Sequence, residues 1–258
     1  MDNLLSPRYL KSIELKPSIE LLSDEYEIGR HFVVQIIYGD DYKERADLLF
    51  NTMQDACQFT VERTPFQNIQ DFFDIIQNLK VRIEKQRKPV GVFVIVLCHG
   101  KAAEGGHLFC DNGDKIAFSE VWDEFIKMEA LNRKPKIFLF QTHFVPTRDA
   151  FDGVNRSKRL YDVAAPGADL FLISRNIARK SQDNFIDNFC EYIRSHGKQV
   201  DIFELATFAT HTDRPLIVST LTARFFFQKS ETRGYTYSIL EGVAQIKKRI
   251  QGQIGGNN

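Results

Sequence analysis

The chain is short of cysteine, carries no excess of either charge and has no long apolar run at its start, and each shortage excludes a class of protein. Its four cysteines, Cys57, Cys98, Cys110 and Cys190, are widely spread and include no CxxC pair. That pattern is neither a disulfide framework nor a zinc spacing, and it suits reduced thiols in a cytoplasmic protein. Lys plus Arg and Asp plus Glu number 34 each, so the charge balance calls for neither nucleic acid nor an anionic membrane as partner. The first twenty residues mix charges and two prolines among their apolar positions, which is unlike a signal peptide or a membrane span. Internal repeats and low-complexity tracts are missing too.

What is present is alternation. Apolar runs rich in β-branched and aromatic residues at 32–38, 90–97, 137–141, 170–174 and 217–227 predict strands. Between them, apolar residues at three- and four-residue spacing predict helices over 44–54, 69–85, 119–130 and 184–196. This order predicts an α/β fold with an open, mostly parallel sheet covered by helices. The run Val92 to Leu97 is apolar at every position, as a central strand buried on both faces requires. At 258 residues, one sizeable core is expected.

In open α/β sheets, ligands bind beyond the carboxyl ends of the strands. The central strand ends in Cys98-His99-Gly100, and the basic turn Arg133 to Lys136 leads into a second apolar strand ending in Gln141-Thr142-His143. Two strand ends carrying histidines are thus expected to meet at one rim.

The block from Val92 to His143, with Lys-Pro-Lys before the strand and Gln141-Thr142-His143 after it, resembles the large subunit of the caspases. That family belongs to the peptidase clan of the caspase/hemoglobinase fold. Its motif is Gln-Ala-Cys-Arg-Gly with a histidine roughly 50 residues upstream; His99 and His143 lie 44 apart. Ala168 to Phe171 is similar to the first strand of the small subunit, and 217–227 to its last strand. The resemblance implies a three-layer α/β/α sandwich around a mostly parallel six-stranded sheet. It divides the chain into a short N-terminal segment (1–30), a large-subunit-like part (31–145), an intersubunit-like linker (146–167) and a small-subunit-like part with a C-terminal helix (168–258).

In caspases a cysteine thiolate attacks the scissile carbonyl, a histidine handles protons, and backbone amides hold the oxyanion. Carried over by the resemblance, His99 matches the histidine, Gly100 its glycine, and the nucleophile's position falls on His143, followed by Phe144-Val145 in place of Arg-Gly. Imidazole cannot form the thioester intermediate. Loss of the nucleophile costs about a millionfold of rate in the best-studied serine analogue. Cys98 is not expected to substitute, because neighbouring side chains on a strand face opposite ways.

Other departures concern substrate binding. Where caspases carry a longer loop with an Arg-x-Gly-Thr-x-x-Asp motif, segment 39–49 keeps only Arg45 and Asp47. Arg45, Gln141 and Arg175 are the positions that the resemblance marks as remnants of the substrate site, and 175–181 is too short to hold the family's peptide-binding loop. In the linker, Asp149-Ala-Phe-Asp152-Gly153 resembles an executioner cleavage site. A zinc site built from His99, His143, Cys98 and Cys110 lacks close ligand pairs, so no metal and no cofactor is expected.

The resemblance therefore implies a catalytically inactive family member that regulates an active caspase paralogue, hence apoptosis, by heterodimerising along Ile217, Val218, Ser219, Thr220 and Leu221, or that pairs with itself. The alternative is a caspase-like cysteine endopeptidase with atypical or residual activity. The shortness of the segment before His31 is similar to short-prodomain caspases and insect-type inactive paralogues.

Overall fold

The computed structural model describes residues 25–100, 107–109, 114–144, 169–178, 184–209 and 215–229. Six strands form one sheet: β1 (Phe32–Tyr38), β2 (Thr60–Pro65), β3 (Gly91–Gly100), β6 (Lys136–Phe144), β7 (Leu170–Ala178) and β8 (Leu216–Ser219), in the order β2-β1-β3-β6-β7-β8. All neighbours are parallel except β7 and β8. A separate hairpin pairs β4 (His107–Phe109) with β5 (Lys115–Ala117). The mostly parallel six-stranded sheet is the one expected from the sequence.

Among the described residues five α-helices cover it: α1 (Lys43–Asn51), α2 (Ile69–Lys85), α3 (Phe118–Ile126), α4 (Phe185–His196) and α5 (Ile202–Phe208). Strand alternation sorts the core into two faces. Phe93, Ile95 and Leu97 of β3 join Leu49 of α1, Phe189 of α4 and Leu205 of α5. Val92, Val94, Val96 and Cys98 join Phe72 of α2 and Trp122 of α3. Every residue of β3 from Val92 to Leu97 is fully buried, which explains its unbroken apolar run. This is the α/β/α sandwich.

Local chemistry places several boundaries where the sequence puts them. The Asn68 side chain accepts from Asp71 N at 2.9 Å and starts α2, whose last turn carries Arg82 and Lys85. Ala117 N donates to Glu120 Oε2 at 2.7 Å at the start of α3.

Some elements differ from expectation. β2 was not expected, because Thr60–Pro65 is an exposed edge strand with no apolar face and ends in proline. The hairpin strands and α5 are three, three and seven residues long, too short for periodicity to reveal. The expected strand over 217–227 stops at Ser219. Beyond it, Phe225 and Phe227 are fully buried, and Phe227 packs on Phe93, Phe59 and Phe189 with ring centroids 5.7–6.4 Å apart. The second half of that segment is therefore interior core and not strand, since burying three consecutive phenylalanines is strongly favourable.

Candidate active-site rim

The carboxyl ends of β3, β6 and β7 lie side by side, and their register fixes which residues meet. His99 and His143 are Cα partners on adjacent strands, Gly100 pairs with Phe144, and Cys98 with Thr142. On the far side of β6, Gln141 pairs with Arg175 and His143 with Ile177. Neighbouring strands are about 4.8 Å apart, so the backbone of residue 143 stands one strand spacing from that of His99. The sequence reading brought these two residues to one rim, and the backbone places them together.

Two residues below the histidines, Leu97, Gln141 and Arg175 share a register row across three strands. Gln141 is fully buried, and Arg175 is only 6 % exposed. The Arg175 guanidinium sits 5.1 Å from the centre of the Phe185 ring, at the start of α4, in a cation–π contact. A cation held over an aromatic face beneath the rim is packed into the protein, and the stacking contributes to the α4 contact.

Cys98 lies on the α2/α3 face of β3 and is 2 % exposed, whereas Leu97 faces α1 and α4. The other described thiols are buried as well. Burial, together with the neighbouring Cys190, pushes the Cys57 thiol far up, and burial pushes Cys190 up to about 11. Thiols held protonated in this way are poor nucleophiles.

Arg45 sits half-buried on α1, so segment 39–49 forms a short 3-10 turn and a helix in place of an extended loop. Asp47, on the same helix, pairs with Lys43 and with Arg63 of β2, which ties α1 to the sheet edge. Ile217 and Val218 lie on β8, separated from β6 by β7, so the expected pairing edge is distinct from the rim. Asp149, Asp152 and Gly153 lie outside the described residues, as does Cys110. Among the described residues, no three His, Cys, Asp or Glu side chains converge as a metal site, and no helix is long and apolar enough to cross a membrane.

A node the sequence did not reveal lies at the opposite end of the sheet. Asp169, 2 % exposed and at φ 50°, precedes β7. Its Oδ1 accepts from Tyr26 OH at 2.5 Å, Thr222 Oγ1 at 2.6 Å and Thr222 N at 3.3 Å. Burial and the hydrogen bond to Asp169 raise the Tyr26 phenol above its ordinary value. The partners are 143 and 53 residues away from Asp169, which no local pattern signals.

With this geometry in view, comparison with known proteins identifies the family. The caspase-domain model matches residues 43–226, so this chain belongs to the caspase family. No curated protein matches its sequence. Among solved structures it is similar to pro-sf-caspase-1 (19 % identity, TM-score 0.60, covering 80 % of this chain and 98 % of that one). It is also similar to caspase-1 from Spodoptera frugiperda (19 %, 0.58, 82 % and 96 %) and to drICE (18 %, 0.54, 79 % and 95 %). At these identities the likeness shows the fold.

Proposed function

We propose that this chain is a pseudoenzyme of the caspase family, a cytoplasmic protein that regulates an active caspase, and through it apoptosis, by pairing with it. The observation that carries this reading is His143, the register partner of His99, at the position where the family places its cysteine. A covalent acyl intermediate at this position needs a thiolate, and imidazole does not supply one. The burial of Cys57, Cys98 and Cys190 supports the reading, since a thiol shielded from solvent is poorly placed to act as a substitute nucleophile.

Pairing is proposed along β8. Among the described strands it is hydrogen-bonded on one side only, to β7, and Ile217 and Val218 are half-buried on it. An edge strand is a ready template for another chain. The partner is an active caspase or a second copy of this chain. Cleavage after Asp152 by that caspase belongs to the same reading, and an intact mass after incubation would remove that part of it.

The test is to incubate the purified chain with fluorogenic Asp-containing peptides, alone and together with an active caspase. The expected result is no turnover alone and a changed rate for the caspase. Turnover by the chain alone would instead establish an atypical endopeptidase. An unchanged caspase rate with no co-purified caspase would end the regulatory reading.

A further inference from the structure

Away from the rim, a cavity of about 600 Å³ opens where the turn before β1, the end of the helical segment 43–56, the C-terminal end of α4 and the residues after Phe227 come together. Four cations line it: Arg30, Arg194, Lys198 and Lys229. Among the described residues no carboxylate lines it, although the chain as a whole carries equal numbers of acidic and basic side chains. Two side-chain amides, Gln58 and Gln228, complete the polar lining.

The cations come from separate stretches of chain, so helix charge patterning does not account for the cluster. Arg194 lies in the last turn of α4, where the helix dipole favours a cation, and Lys198 follows that helix. Arg30 and Lys229 have no such reason to be there. Gln58 holds φ 57°, a left-handed conformation that costs a non-glycine residue energy and is kept where the surrounding structure fixes it. The Gln228 side chain is held by its Nε2 donating to Ile193 O at 2.8 Å, and Gln228 N donates to Gly197 O at 3.0 Å. Gly197 is needed at that junction, because a Cβ there would meet Ile193 O at 2.4 Å. The wall is thus fixed in the backbone while its cations remain exposed.

We infer that this cavity binds a small polyanion carrying several phosphoryl groups. Its volume is in the range of small-ligand sites. Guanidinium forks pair phosphate oxygens bidentately, and lysine ammoniums supply further point charges. Four positive charges converging on one concavity match a ligand with at least three negative charges better than they match a single carboxylate.

The test uses the full chain and sodium tripolyphosphate, followed by isothermal titration at 150 mM salt, with sodium sulfate at equal ionic strength as reference. A second arm replaces Arg194 and Lys198 with Gln, both exposed, so folding is checked by circular dichroism and is expected to hold. The control variant replaces Arg87 and Lys88, cations of another cavity that Glu27 also lines. Saturable tripolyphosphate binding at least tenfold tighter than sulfate, lost at least tenfold in R194Q/K198Q and less than threefold in R87Q/K88Q, is the expected result. Absence of saturable binding, a smaller loss at the cavity, or a loss of threefold or more in the control would overturn the proposal. If R194Q/K198Q misfolds, R30Q/K229Q replaces it under the same thresholds.

Discussion

His99 and His143 occupy the same register position on β3 and β6, so two histidines stand side by side on adjacent strands, at the positions that the proposed reading matches to the imidazole and the thiol of a caspase. On that reading, the change at 143 is accompanied by Phe144 behind it and by a helix over Lys43–Asn51 in place of a longer loop. Restoring the thiol alone is therefore expected to fail. H143C should turn over Asp-containing peptides at least about a thousandfold more slowly than an active caspase, since positioning and oxyanion contacts contribute alongside the nucleophile. Single-turnover assays with the purified variant check this, and efficient cleavage would show that the rest of the site is intact.

At the other end of the sheet, Asp169 Oδ1 serves three donors from two distant segments. D169A should lower stability by about 2–4 kcal/mol, because hydrogen bonds to a charged group are strong and the buried donors lose their acceptor. D169N should cost less, about 1 kcal/mol, since asparagine keeps an acceptor and tolerates the left-handed conformation at φ 50°. Urea unfolding of the two variants distinguishes these outcomes.

Lys136 gives a pH signature. Its ammonium is buried and donates to Leu131 O at 2.9 Å and Lys134 O at 2.8 Å, and burial pushes its pKa down to about 8, with Lys134 adding to the shift and Asp169 opposing it. The unfolded chain, with this lysine near 10.5, binds more protons between those values, so its contribution to stability rises with pH from about 8 to 10.5. K136M should flatten that rise relative to the unmodified chain. Matched urea titrations at pH 7.5 and 9.5 provide the comparison, and identical slopes for both proteins would contradict it.

Cys57 and Cys190 should be silent to thiol reagents in the folded protein. Both are buried with raised pKa values, and the thiolate is the reactive form. Ellman's reagent at pH 8 should label neither until denaturant is added, as read by peptide mapping. Fast labelling of either in the native state would show local opening of the α1–α4 face.

Much of this was legible in advance where the signal is local. The 3.6-residue apolar period gave α2 its limits, and the unbroken apolar run of β3 gave its central place. The edge strand β2 escaped because its exposed residues carry no apolar pattern, and the span of β8 was overread because the phenylalanines after it look the same whether they extend a strand or fill a core. At the rim, the residue types at 99, 141, 143 and 175 were readable; the stacking of Arg175 on Phe185 was not.

The sequence by itself determined that residues 99 and 143, each at the end of an apolar run, are histidines and that strands and helices alternate, because residue identity and periodicity are carried within short stretches of chain. Tertiary structure alone decided that His99 and His143 share a register position, that Phe225 and Phe227 close the core, and that Asp169 joins Tyr26 to Thr222. Those relations link residues tens to more than a hundred positions apart. They are fixed only when the whole sheet is packed, since each strand's register depends on burying one face against helices from elsewhere in the chain.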